Sequence, residues 1–214
     1  MKLLPIIPLG RWTLSDTPFH PVLNPNPRDD IVFETASGLL AWIAEDIEER
    51  ANPARSAFET TVCSHENYRC WRRSRPLISD LKAYRKYRTS AGSRHLNQAA
   101  LNYATAAERS EVDALVTEIE GSGFTVPAGQ ILFSGKAYDT PPSGSFMIGT
   151  FLSTTLCPSV AACHARDQAF HQQVRGYVII IETSLPVPAL FVPIGNPDEY
   201  EVLIAPGTCI QIRS

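Results

Sequence analysis

D-E-Y-E-V-L-I-A-P-G-T, residues 198–208, places three acids at the mouth of an apolar run that closes on Pro-Gly. Read as a strand from Glu199 to Ala205, its side chains alternate between two faces. Glu199 and Glu201 then share one face, and Tyr200 and Val202 share the other. Two carboxylates side by side at the edge of a core admit two readings. Acids at a strand end keep a sheet edge from pairing with other chains. A carboxylate pair also suits a cationic substrate or a transition state that develops positive charge.

Outward from this stretch the C-terminal half reads as strands. Gln130–Ala137, Met147–Thr154, Val174–Glu182, a short piece at Leu190–Pro193, and Cys209–Arg213 join Glu199–Ala205. One helix, Ser159–Phe170, interrupts them. The preceding part has helical spacing. Leu39, Leu40, Trp42, Ile43 and Ile47 form one stripe, stopped by Asn52-Pro53. Leu77, Leu81 and Tyr84 form a second, and Leu96, Ala100 and Tyr103 a third. In S-E-V-D-A-L-V-T-E-I-E-G, Ser110 is the expected N-cap. Val112, Leu115, Val116 and Ile119 are its buried face, and Gly121 its stop. Residues 1–30 carry Pro5, Pro8, Pro18, Pro21, Pro25 and Pro27 and read as an extended arm. Helices first and strands after predict an α+β protein. The expected division is an arm over 1–30 and a single domain over 31–214, helical over 31–121 with a β-core over 122–214.

The 214 residues, 44% hydrophobic and 19% charged, are enough for one buried core. A net charge of −3 and a pI near 6.0 give no general attraction to nucleic acid or membranes, and neither is an expected partner. W-R-R-S-R (Trp71–Arg75) and Y-R-K-Y-R (Tyr84–Arg88) are local basic blocks, read as a solvated helix face ahead of a patch for an acidic partner. Five cysteines, Cys63, Cys70, Cys157, Cys163 and Cys209, form no regular framework and read as reduced thiols. Cys157, Cys163, His164 and His171 lie close in sequence but match no zinc spacing, so no metal is expected. The N-terminal M-K-L-L-P-I-I-P-L-G-R-W is broken by Pro5 and Pro8 and lacks a clear cleavage site, and no apolar run has membrane-spanning length.

Three stretches belong together: I-L-F-S-G-K-A (131–137), G-T-F-L-S-T-T (149–155) and P-D-E-Y-E-V-L-I-A-P-G-T (197–208). Their order resembles the mono-ADP-ribosyltransferase superfamily, in its arginine–serine–glutamate branch of bacterial toxins and effectors. That branch carries aromatic-Arg-Gly on one strand, Ser-Thr-Ser/Thr on the next and Glu-x-Glu on a later one. The resemblance covers about residues 95–213 and implies a helical part followed by a split, mixed or antiparallel β-sheet core.

The resemblance also implies roles. Cleaving nicotinamide from NAD develops oxocarbenium-like charge on the ribose, which a carboxylate stabilises more in the transition state than in the ground state. Glu201 is the implied catalytic carboxylate. Glu199 meets the acceptor, an arginine guanidinium. Ser153 holds Glu201, Thr154 and Thr155 shape the pocket, and Ser134, Gly135 and Lys136 are the implied NAD-binding positions. The loop Phe191–Asp198 matches the one that meets the target.

One departure stands out. Ser134 occupies the place of the motif arginine, whose charge-assisted bond to phosphate is worth about 1.5–3 kcal/mol. Lys136, on the same strand face, supplies a charge without a planar fork, and Arg94 or Arg175 are further candidates. Two readings follow. One is a transferase with an atypical NAD site that modifies a host protein; NAD glycohydrolysis, with water as acceptor, is its variant. The other is a fold that has given up NAD and holds an arginine-containing peptide. In that second reading the arm itself, through Arg11 and Arg28, is a candidate plug for the cleft. A monomer is expected, and the resemblance further implies secretion by a bacterial delivery system into the host cytoplasm.

Overall fold

A computed structural model describes residues 2–7, 66–121, 124–139, 145–192 and 199–211. Five α-helices lie in the described residues: α1 (Glu66–Ser74), α2 (Lys82–Tyr87), α3 (Ser90–Leu101), α4 (Arg109–Gly121) and α5 (Pro158–Gln172). The strands are β1 (Lys2–Leu3), β2 (Phe124–Val126), β3 (Ile131–Tyr138), β4 (Ser145–Met147), β5 (Leu152–Thr155), β6 (Arg175–Glu182), β7 (Val187–Val192), β8 (Glu201–Ile204) and β9 (Cys209–Gln211). The protein is α+β, with helices followed by a largely antiparallel sheet. The expected helix over Leu39–Ile47, Arg11, Arg28 and Cys63 fall outside the described residues.

Seven strands form one sheet in the order β1-β2-β7-β8-β5-β3-β6, and β4 and β9 form a separate pair. β1 and β2 run parallel; every other pairing is antiparallel. β3 and β6 are zipped over eight residue pairs, and β5 and β8 over four. β3 and β5 meet at a single pair, Phe133 with Thr155. The sheet therefore opens between β3 and β5, and a cleft forms there.

Strand alternation distributes the core. Ala189, Phe191, Val202 and Ile204 join α1 and the first residues in one apolar cluster. Leu190, Val192 and Leu203 join α2, α3 and α4 in the other. Trp71 is fully buried and meets Phe191 edge-on at 5.3 Å, while its indole N–H donates to Pro5 O at 2.8 Å. Leu4 and Ile7 are buried beside it and belong to this cluster, and none of residues 2–7 lines the cleft. Tyr84 and Tyr87 turn inward on α2, whereas all the Arg and Lys side chains of the two basic blocks point to solvent.

The structure corrects several boundaries. The expected strand Met147–Thr154 is two strands in different sheets. Ile148 N–H donates to Thr208 O, and Gly207 N–H donates to Ile148 O, which ties this stretch to the β4–β9 pair before the chain crosses to β5. The expected strand Glu199–Ala205 starts only at Glu201, because Tyr200 has φ +51° and breaks the pleat. β7 is longer than Leu190–Pro193: Pro186 and Pro188 lie at or before the end that β8 leaves unpaired, so their missing N–H groups cost no bond there. Ser110 lies inside the first turn of α4, which begins at Arg109, and is not its cap. Leu77 precedes a 3₁₀ turn (Ile78–Asp80) and is 70% exposed, so it belongs to no helical stripe. Tyr103 lies past the end of α3, exposed, and donates to Asp113 on α4 at 2.6 Å.

Helix α5 sets the remaining wall of the cleft. Pro158 starts it, and Gln173 ends it in the left-handed conformation, φ +55°. Ala161 and Ala165 bring its backbone against β3 at Gly135. A Cβ there would collide with Ala161 O and sit 2.6 Å from Ala165 N. Gly176 on β6 gives a second close approach, where a Cβ would sit 2.7 Å from Ala165 O. Gly135→Ala should therefore cost about 3 kcal/mol or more in denaturant unfolding, since backbone rather than a flexible side chain must shift. Gly121→Ala, which meets nothing within 4 Å, should stay within about 0.5 kcal/mol of the parent.

Candidate active site

The cleft encloses about 80 Å³ and is lined by all eight residues expected of the site: Ser134, Gly135, Lys136, Ser153, Thr154, Thr155, Glu199 and Glu201. Glu201 is the first residue of β8, paired between Thr155 of β5 and Val192 of β7. Both of its oxygens are held. Ser153 Oγ donates to Oε1 at 2.6 Å, and Tyr84 OH donates to Oε2 at 2.5 Å. Each carboxylate oxygen has two lone pairs, so one acceptor position on each is left for a ligand.

Loss of solvent pushes the Glu201 carboxyl above its ordinary range. The Ser153 and Tyr84 bonds pull it back down, Glu199 pushes it up and Arg88 pulls it down. Burial first, and then the Glu201 charge, push the Tyr84 phenol up, so it stays a donor. Tyr87 behaves likewise. Lys136 is lowered by burial, opposed by the attraction of Glu201.

The neighbouring residues brace the frame. Ser134 is buried, and its hydroxyl donates to Ser153 O at 2.8 Å, joining β3 to β5 where the ladder has opened. Thr154 donates to Val202 O and Thr155 to Glu199 O, each at 2.6 Å. Thr155 Oγ also accepts from Cys157 N–H at 3.0 Å, linking the start of α5 to the backbone of Glu199. Gly135 provides the close approach of α5, and its carbonyl faces Gln168 Nε2 at 3.4 Å. Glu199 is half-exposed and reaches the cleft from outside the strand, because the turn at Tyr200 replaces the expected alternation. Tyr200 itself is buried against Tyr68, with ring centres 6.0 Å apart.

Three contributors to the site escaped the sequence reading. Tyr84 had the signature of a core stripe, and 117 residues separate it from Glu201. His164 stands on α5 with Nε2 4.0 Å from Glu199 Oε2, and Gln168 lies one turn further on. His164 was visible only as part of a loose Cys/His group. That group is dispersed: Cys157 is buried with Sγ 2.9 Å from Ser159 Oγ, and His171 is exposed in the last turn of α5. Among the described residues, no three Cys, His, Asp or Glu side chains converge as a metal site. Arg94 and Arg175 do not line the cleft; Lys136 is the one Lys or Arg among its described lining residues. Phe191 and Val192, expected in the target-facing loop, are buried strand residues of β7, and residues 193–198 lie outside those described.

A second hollow of about 180 Å³ adjoins the cleft and shares Lys136 with it. Tyr138, Ile148, Leu152, Ile179 and Ile181 give it apolar walls.

The raised Glu201 carboxyl has a sign that can be tested. Below the ordinary value of 4.5 the group is protonated in both folded and unfolded chains. As the pH rises beyond that, the unfolded chain gives up its proton first and the folded chain keeps it longer, so this group's contribution to stability falls. The melting temperature of Glu201→Gln relative to the parent should therefore climb by a few degrees from pH 4 to pH 8. A difference independent of pH would mean that the carboxylate is not desolvated.

No family model matches the chain, and no curated protein does. Among solved structures, it is similar to the Vis toxin, an ADP-ribosyltransferase from Vibrio splendidus, at 17% identity and TM-score 0.45, covering 84% of this chain and 80% of that one. It is also similar to Vis in complex with agmatine, at 16% identity and TM-score 0.43, covering 92% and 83%. The enzymatic component C2-I of the C2-toxin from Clostridium botulinum aligns at 14% identity and TM-score 0.45, over 67% of this chain and 39% of C2-I.

Proposed function

We propose that the cleft cleaves NAD and transfers its ADP-ribose to a guanidinium. One observation carries the reading: Glu201, partly buried in the cleft wall, has each oxygen held by a hydroxyl donor, with Glu199 at the cleft mouth beside it. A fixed carboxylate favours a reaction in which positive charge appears where little existed before. Here that charge arises on the ribose as its C1′–N bond to nicotinamide breaks and nicotinamide leaves with the electron pair. The acceptor nitrogen then bonds to C1′. Glu199, half-exposed and 4.0 Å from His164, orients the guanidinium in this reading and takes up the proton it loses. With water as acceptor the same steps give hydrolysis.

The residues fit NAD in two respects and depart in one. The cleft takes the reacting end beside Glu201. Lys136 is common to the cleft and the apolar hollow, so a pyrophosphate bridging the two would meet an ammonium. The departure is Ser134, whose buried hydroxyl is committed to Ser153 O. That observation favours a second reading: a cleft without NAD, in which Glu199 and Glu201 hold an arginine-containing peptide. A protein acceptor in a host cell, reached by secretion, and action as a monomer belong to the first reading.

Calorimetric titration with NAD separates the two. Saturable binding is expected, and Lys136→Met should weaken it roughly ten- to a hundredfold, the worth of a charge-assisted hydrogen bond. No binding by the parent, with binding gained in Ser134→Arg, would favour the peptide reading. Glu201→Gln should lower turnover of NAD about 10²–10³-fold with little change in its affinity. With agmatine as a small guanidinium acceptor, Glu199→Gln should abolish transfer while leaving hydrolysis within about threefold. Equal loss of both activities would remove the assigned role of Glu199.

A further inference from the structure

Glu118 lies on α4, outside the cleft, and the chemistry above does not use it. Its Oε1 accepts from the Ala83 N–H and its Oε2 from the Tyr84 N–H, each at 2.8 Å. These amides are the second and third of α2, the two that an N-cap side chain ordinarily satisfies. The residue in the cap position is Leu81, which has no acceptor to offer. With six residues, α2 has too few internal bonds to fix its own first turn. That turn carries Tyr84, whose hydroxyl meets Glu201 Oε2.

We infer that Glu118 is a positioning residue for Glu201: it fixes the first turn of α2 and, through it, the Tyr84 hydroxyl that holds Oε2. A carboxylate suits the task because each amide needs its own acceptor oxygen, and negative charge is favoured at a helix start. Glutamine keeps one acceptor and turns its NH₂ toward an N–H. The link to turnover rests on reading Glu201 as the catalytic carboxylate; the link from Glu118 to Tyr84 and Glu201 does not.

The test is the titration of Glu201 by NMR of the full chain with labelled glutamate, in four forms: parent, Glu118→Gln, Tyr84→Phe and the double variant. The charged and titratable groups that act on Glu201 in the parent are Glu199, Arg88, Lys136, Tyr84 and Tyr87, with His164 on the cleft wall. Tyr84→Phe should raise the midpoint, because a donor to the charged form is lost. Glu118→Gln should raise it in the same direction in the parent and add nothing in the Tyr84→Phe background. A midpoint unmoved by Glu118→Gln, or moved equally with and without the Tyr84 hydroxyl, overturns the inference.

Should Glu118→Gln fail to fold, amide exchange in the parent decides. Ala83 and Tyr84 should be as protected as Tyr87, and rapid exchange at those two amides overturns the inference. Neither readout needs NAD, so an absence of NAD turnover would defeat the proposed function and leave this relay standing. Where turnover is measured, Glu118→Gln should lower kcat roughly fivefold, the worth of one hydrogen bond, with KM for NAD held. A rise in KM alone would contradict it.

Discussion

A partly buried carboxylate held between two hydroxyls is the constraint around which this molecule is arranged. Glu201 is costly where it stands, because burial disfavours its charge. The Ser153 and Tyr84 bonds return part of that cost, and each arrives from a different element. Ser153 comes along β5, paired with β8. Tyr84 comes from the helical layer, across one of the two apolar clusters. The site therefore exists only when sheet and helices are docked, and misplacing either element leaves a buried charge short of a donor.

The opening beside Glu201 is also a product of packing. β3 stays zipped to β6 while parting from β5 after one residue pair. The backbone of α5 presses on Gly135 and Gly176, where no side chain intervenes. Ser134 spans the gap with a side-chain bond to Ser153 O, in place of the next rung of the ladder. This gives the serine a structural part. Among the described residues, Lys136 is the one Lys or Arg that lines both the cleft and its neighbouring hollow.

Much of the site was legible because strands carry their chemistry in short runs. Ser153-Thr154-Thr155 and Glu199-x-Glu201 each lie within three residues, so the pairing of two strands brings both sets together. The route taken by Glu199 was not legible. Alternation placed it correctly beside Glu201 on wrong grounds, since Tyr200 leaves the pleat at φ +51° and is buried among aromatics. The split of Met147–Thr154 was hidden for a similar reason. Its residues look continuous, and only the bonds of Ile148 to Thr208 and Gly207 reveal that they serve two sheets.

The sequence by itself determined the α+β order, the inward faces of α2 and α4, and the clustering of hydroxyls and acids on strands that come together. These are local or periodic properties, set by residue type and spacing along the chain. Tertiary structure alone decided that Tyr84 reaches Glu201, that Glu118 supplies the missing cap of α2, and that His164 faces Glu199. Those contacts join residues 34 to 117 positions apart. No local pattern records such a pairing. It arises when two apolar clusters fill opposite faces of one sheet and carry the polar groups at their edges into a common cleft.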